Sequence, residues 1–397
     1  MRDSSAQLRR YWVTAVLGVT VTSVFALTAR WGPDQNGDAI AAALPAWSFA
    51  AHGTLDLGEG AAGTLGVIEI ENGHISNRPP GVWLAAALIY FISDTTPEHL
   101  TYWPATAAAV LTTGLATVLL HRLLLKLTDV RTATIAALVF ALGTSTWSIS
   151  ANQLWPHGTV QFWLAASMLF MANARWAASG LSFGLAALAR PVTAVIAFVH
   201  ALLTVYWKRD VRAAVKTTLG AGIGLVAIIV YNWKVFGRPS LTGGYPSDFV
   251  DRLWSPDLSA WAVEFAHMFL NPRNGILLWS PVLLVLLPGL RDAWKAAPHW
   301  VRSASASGVV YLVLHALLNR ASGGLAFGYR YQLASVTLAL PLLVLAWAHW
   351  GSKTSFRRVL VVTGTVVSVA AQAALIFTLE CLPINGSELY GCSLFQF

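Results

Sequence analysis

The stretch YWVTAVLGVTVTSVFALTARWGPDQNGD, residues 11–38, decides the fold. Residues 11–30 are an apolar run of the length a helix needs to cross about 30 Å of hydrocarbon. The chain then drops into Gly32-Pro33-Asp34-Gln35-Asn36-Gly37-Asp38, which is polar and broken by glycine. A carboxylate directly after a crossing is well placed for chemistry at a membrane surface.

The same pattern recurs along the chain. Of the 397 residues, 56% are hydrophobic and only 11% are charged, the composition of a chain solvated by lipid. Membrane-length runs occur at 11–30, 102–121, 132–149, 157–174, 214–232, 303–319, 333–350 and 358–379, with shorter runs at 80–93, 179–190, 191–207 and 275–290. This predicts a single all-α polytopic membrane domain over 1–397 with about 11 transmembrane helices. The N-terminus has basic residues and a long apolar run but no small-residue cleavage site, so 11–30 reads as a retained helix.

Positively charged loops stay on the cytoplasmic side. Seventeen of the 26 basic residues fall in six clusters, around Arg2/Arg9/Arg10, Arg122/Lys126/Arg131, Arg175, Lys208/Arg209/Arg212/Lys216, Arg291/Lys295/Arg302 and Lys353/Arg357/Arg358. Fourteen of the 18 acids, Asp34, Asp38 and Asp56 among them, fall in the complementary loops and are expected outside. Charge parity between Asp38 and Arg122 allows one crossing, so the 14-residue run 80–93 is expected to be re-entrant. The net charge of +8 lies in the inner loops, where anionic membrane lipids account for it without nucleic acid. Cys381 and Cys392 lie in the outer tail, 380–397, where a disulfide is expected and two free thiols are the alternative.

Polar chemistry concentrates in the outer segments. In the first loop, 31–79, Asp38 opens an amphipathic stretch to Ala51 that is expected to lie as an interfacial helix, with Asp38 in the favoured position of an N-cap. Capping and catalysis are not exclusive, and Asp34 is the competing carboxylate. The loop ends in Asn77-Arg78-Pro79-Pro80-Gly81, where two prolines pin Arg78 at the membrane boundary; an arginine so fixed can hold a phosphate bidentately, while on position alone a snorkelling interfacial arginine is the commoner case. His157 follows Trp155-Pro156, and Arg190 precedes Pro191 inside an apolar stretch, where an arginine is costly unless it faces a cavity or an anion. The second large loop, 233–274, is introduced by Tyr231-Asn232 and holds Gly243-Gly244-Tyr245; these amide and aromatic groups suit a sugar and equally suit an interfacial belt. A glycine-rich segment, 319–331, delivers Tyr329 and Arg330 to the start of the next helix as a candidate anion cradle.

The order of these pieces resembles the GT-C membrane glycosyltransferases that use polyprenyl-phosphate sugars, a group including protein O-mannosyltransferases and lipid A aminoarabinose transferases. The carrying motifs are Gly37-Asp38, HGTLDL at 52–57, NRPPG at 77–81, LWPHG at 154–158, GLAALARP at 184–191, YNWKVFGRPSLTGGY at 231–245, NPRNGILLWSP at 271–281 and GGLAFGYRY at 323–331. The resemblance implies a GT-C-like bundle acting on the extracytoplasmic face of a bacterial cytoplasmic membrane. It implies inverting transfer from a polyprenyl-monophosphate sugar to a lipid-, glycan- or protein-linked hydroxyl, with no cofactor. Asp38, or Asp34, would be the base. Arg78, with Arg330 or Arg190, would bind the donor phosphate, and His157, Asn232, Tyr245 and Tyr329 would contact substrate. Many relatives carry an Asp-Glu pair where this chain has Asp38-Ala39, so no metal is expected. Mannose and arabinofuranose in cell-envelope glycan synthesis are the leading sugars. No folded carbohydrate-binding domain is expected after the last helix, so the loops and membrane cavity are expected to recognise the acceptor. A lipid-linked glycan ligase or polymerase is the rival enzyme. A transporter is the rival non-enzyme, although the two similar halves it calls for are not seen in the sequence.

Overall fold

Backbone groups in hydrocarbon have no water to satisfy them, so runs of this length fold as helices. The computed structural model describes residues 4–71, 73–93, 98–245, 251–252, 254–318, 327–383 and 390–394, with side chains within 7–377. The chain begins with α1 (Ser4–Thr28), followed by α2 (Gly37–His52), the antiparallel hairpin β1 (Val67–Ile70) and β2 (Gly73–Ser76), and α3 (Pro80–Ile92). Next come α4 (Trp103–Leu124), α5 (Val130–Leu142), α6 (Pro156–Met171), α7 (Trp176–Ala189), α8 (Ala194–Lys208) and α9 (Val211–Phe236). Four longer helices complete the bundle: Leu258–Leu270, His299–Leu318, Leu333–Ala346 and Ser355–Thr378. Among the described residues, seven helices are long and apolar enough to cross a membrane, which makes this a multi-pass membrane protein.

The bundle segregates its charges by end. α1 and α4 run antiparallel: Thr106 Oγ1 donates to Arg30 O at one end, while Thr14 Oγ1 meets His121 Nδ1 at 3.0 Å and Arg122 lies over the Tyr11 ring at the other. That second end gathers the basic clusters. Arg10, Arg122, Lys126 and Arg175 line one cavity, Lys208 lies over Trp176, Trp207 meets Trp294, and Arg302 donates to Lys295 O. Asp38 sits at the opposite end.

Two apolar runs depart from single helices. The run 132–149 ends as a helix at Leu142 and passes through Gly143 into a π turn, Thr146–Ser150. The run 275–290 breaks into Ile276–Trp279, Pro281–Leu286 and Leu290–Ala296, because Pro281 and Pro288 cannot donate to a helical ladder. The two breaks satisfy each other. Ser280 Oγ donates to Gly143 O at 2.8 Å, and Val282 N donates to Ser368 Oγ at 3.1 Å. Gln372 bridges both breaks, donating to Trp279 O and accepting from Ser148 Oγ. Irregular backbone is tolerated at membrane depth when protein supplies such partners.

In the first loop, the helix expected at the interface packs one face on the protein. Ala39, Ala41–Ala43, Leu44, Pro45, Ala46 and Ser48 of α2 are buried, so α2 is embedded against α3 and β2. The 13 residues of α3 span only about 20 Å, less than the thickness of the hydrocarbon core. At the C-terminus, β3 (Leu379–Pro383) and β4 (Tyr390–Leu394) pair with Cys381 opposite Cys392 in the backbone register. The cysteine side chains, and with them the expected disulfide, lie outside the described residues.

The tightest helix pair, α7 with α9, rests on four glycines spaced as GxxxG on each helix, Gly180/Gly184 and Gly220/Gly224. A Cβ on Gly224 would sit 2.2 Å from Gly184 O, and one on Gly180 would sit 2.0 Å from Thr217 O. In lipid, helix association rests on such backbone approach. Gly224→Ala is therefore expected to cost about 1–3 kcal/mol, read as a lower thermal midpoint in detergent. Gly222→Ala, which meets nothing within 4 Å, is the control and should not lower it.

Candidate active site

Asp38 owes its availability to a neighbour. The N-cap of α2 is Asn36, whose Oδ1 accepts from Asp38 N at 3.0 Å, so the expected capping role of Asp38 is filled two residues earlier. The turn is held in place because Asn36 N donates to Gln153 Oε1, and Arg30 N donates to Asn152 Oδ1. The Asp38 carboxylate is thereby free to face inward.

Two arginines meet it there. Arg78 Nη2 is 2.5 Å from Asp38 Oδ1, and Arg330 Nη1 is 2.6 Å from Asp38 Oδ2. Arg78 is delivered by β2: its N donates to Ser76 Oγ, which in turn donates to Ala41 O on α2. Pro79 and Pro80 then start α3 and stop the chain from drifting. Arg330 is delivered by a stretch in which Gly328, at φ +81°, donates from N to Arg273 O and Tyr329 donates from N to Ser145 Oγ. Its guanidinium lies over the rings of Trp155 and Tyr331, each 4.9 Å from the centroid.

A third arginine joins the cluster. Arg190 leaves α7 in an extended conformation, φ −152° and ψ 98°, and Pro191 prevents the helix from continuing. Its Nη1 lies 3.0 Å from His157 Nδ1 and its Nη2 lies 2.8 Å from His315 Nε2. Arginine only donates, so both ring nitrogens accept and both imidazoles are neutral in this arrangement. Tyr331 is shared: Arg190 lies 4.8 Å from its ring centroid, and Tyr331 Oη also receives Arg330 Nη2 at 3.1 Å.

Burial by itself would push the Asp38 carboxyl up, but Arg78 and Arg330 outweigh it and hold it below the usual carboxylate range. The cluster therefore has three guanidinium groups and one carboxylate, an excess of positive charge. Arg78 Nε and Arg330 Nε are buried with no acceptor among the described residues. Such donors suit an anion with several oxygens, above all a phosphate.

The structure brings together Asp38, Arg78, Arg330, Arg190 and His157, and adds Tyr245, whose Oη receives Arg78 Nη1 at 3.3 Å. It leaves other expected residues apart. Asp34 is exposed and is not among the ion pairs of the described residues. Tyr329 is fully buried with its hydroxyl against Ser280, and Asn232 donates to Ser240 O beneath Gly243. Residues 319–326 of the glycine-rich segment lie outside the described residues. His315, Tyr331 and the stacking role of Trp155 escape sequence reasoning. A histidine in an otherwise apolar helix is the faint signal that points to His315.

The Asp38 pairs set a pH dependence. Because the folded-state pKa is lowered, their stabilisation is present in full above the unfolded pKa of about 3.9 and is lost as pH falls through the lower folded value. Asp38→Asn strands two buried cations and is expected to cost about 3–5 kcal/mol at pH 7. Thermal unfolding of both proteins from pH 7 downward should show a constant gap that narrows only below about pH 4.

Comparison with known proteins bears on the fold. No protein-family model matches the chain, and no curated protein matches it. Among solved structures, ArnT from Cupriavidus metallidurans bound to undecaprenyl phosphate aligns with a TM-score of 0.53 and 14% identity over 94% of this chain and 76% of that one. The archaeal oligosaccharyltransferase AglB from Archaeoglobus fulgidus, in complex with an inhibitory peptide and a dolichol-phosphate, aligns at 0.52 and 10% over 94% of this chain and 56% of that one. The Archaeoglobus fulgidus oligosaccharyltransferase tethered to an acceptor peptide containing the NVT sequon aligns at 0.55 and 10%, over 92% and 55%. The chain thus spans about three quarters of the first of these proteins and a little over half of the others. Over more than nine tenths of its length the chain therefore shares the fold of these ArnT and AglB structures.

Proposed function

We propose that this protein is an inverting glycosyltransferase that moves a sugar from a polyprenyl-monophosphate donor to a hydroxyl acceptor at the extracytoplasmic face of a bacterial cytoplasmic membrane. The observation that carries the reading is the convergence of one carboxylate and three arginines at the end of the bundle opposite the basic clusters. The fold likeness to proteins holding undecaprenyl phosphate and dolichol-phosphate supports it.

In the reaction, the acceptor oxygen bonds to the anomeric carbon as the bond from that carbon to the phosphate oxygen breaks. The acceptor proton passes to Asp38, and the lipid leaves as a phosphate monoester. The donor phosphodiester carries one negative charge and the leaving phosphate gains a second. Arg78, Arg330 and Arg190 stabilise that added charge at the moment it develops. Tyr245, His157 and the newly found His315 and Tyr331 border the same space. Asn232 and Tyr329 act as positioning residues, the first beneath the loop that carries Tyr245 and the second beside Arg330.

Asp38 is a weak base while it neutralises two arginines, since the same pairing that lowers its pKa lowers its proton affinity. A donor phosphate that takes over Arg78 and Arg330 leaves burial as the dominant influence on the carboxyl and raises that affinity. Donor binding thereby prepares the base, and the order is donor before acceptor. Mannose and arabinofuranose are the leading sugars, followed by galacturonic acid and aminoarabinose; cell-envelope glycan, lipid or protein hydroxyls are the acceptors.

The test is incubation of purified protein with a panel of polyprenyl-phosphate sugars, scoring release of polyprenyl phosphate. Release with at least one is expected; none with any, alongside binding of a diphosphate-linked glycan, would turn the reading toward a ligase. Asp38→Asn should lower turnover by about 10²–10⁴ while polyprenyl phosphate binds at least as tightly, because its arginines are released. The acid limb of kcat/KM, which reports the free protein, should lie at lower pH than the acid limb of kcat.

A further inference from the structure

We propose that the basic end of the bundle carries a second site, which holds the phosphate of an anionic membrane lipid. A cavity of about 830 Å³ opens where α1, the last turn of α4 and the junction of α6 with α7 meet, at the end opposite Asp38. Arg10, Arg122, Lys126 and Arg175 line it, and no Asp or Glu does. Among the described residues, none of the four is in an ion pair.

Their observed partners are neutral. Arg122 lies over the Tyr11 ring at 5.8 Å, and Lys126 Nζ donates to Asn173 Oδ1 at 2.8 Å. Asp129, close in sequence, is committed elsewhere: its carboxylate accepts from Arg131 N, Thr132 N and Thr132 Oγ1 at the start of α5. Four like charges around one cavity repel one another, and an anion with several oxygens relieves that repulsion while matching the planar guanidinium donors.

The surroundings favour a lipid as the source of the phosphate. Apolar side chains, Phe170 among them, share the cavity wall with the cations. A headgroup in the cavity would set its acyl chains beside Leu125, Leu169 and Phe170. Basic pockets between transmembrane helices hold anionic headgroups in this manner. The site is distinct from the arginines around Asp38, and its test does not depend on the proposed transfer reaction.

The full chain in detergent is titrated with phosphatidylglycerol, phosphatidylcholine or inorganic phosphate, and bound molecules are counted by native mass spectrometry. The expected result is retention of phosphatidylglycerol over phosphatidylcholine by the wild type, reduced roughly thirtyfold in the Arg122→Gln/Arg175→Gln double variant. Lys126→Gln alone, expected to weaken retention about fivefold, serves where the double variant does not fold. Equal retention by wild type and variants overturns the site. Binding of inorganic phosphate by wild type alone, with no preference among lipids, assigns the cavity to a soluble anion and overturns the lipid source.

Discussion

A carboxylate held between two arginines is the interaction around which the polar end of this bundle is built. Asp38 comes from the helix after the first crossing, Arg78 from the entry to α3, and Arg330 from the segment before the Leu333–Ala346 helix. Buried cations need a counter-charge or an anion, so the three segments are constrained to meet. The supporting contacts follow from that requirement. Asn36 takes over the cap and frees the carboxylate, Ser76 ties β2 to α2, and Tyr331 fills the space between Arg330 and Arg190.

The bundle tolerates this polarity because its irregular backbone is satisfied internally. α7 ends at Ala189, and the part-buried Arg190 that follows it, just before Pro191, is met by two histidines from other helices. The breaks near Gly143 and Ser280 exchange hydrogen bonds, with Gln372 serving both. The glycine seam brings the backbones of α7 and α9 into direct contact. Positive charge is in excess at both ends, around Asp38 and around Arg122.

Much of the candidate site was legible before the structure. Asp38, Arg78, Arg190, Arg330, His157 and Tyr245 each stand beside a glycine, a proline or an aromatic at the end of an apolar run, and the structure draws all six together. The resemblance of the motifs to GT-C enzymes agreed with the fold. His315 was barely legible, because its partner Arg190 lies 125 residues away and a lone histidine on an apolar helix does not say what it meets. Asn232 and Tyr329 read as contacts but pack as supports, since a motif gives the position of a side chain along the chain and not its direction. The runs 132–149 and 275–290 read as spans although their backbones break, because hydropathy does not register where a hydroxyl replaces a ladder bond.

The sequence by itself determined the solvent and the sorting of charge, because the costs of burying charge and of leaving backbone unpaired in hydrocarbon act locally, segment by segment. Only the tertiary structure decided which charges became partners. Asp38 could have capped its own helix, and Arg78 could have reached for the interface. Asn36 removed the first option, and the packing of α2 against α3 and β2 removed the second by enclosing the arginine beside the carboxylate. Pairing across 40 and 292 residues depends on the distance between side chains in space, and that distance exists only once the helices have packed.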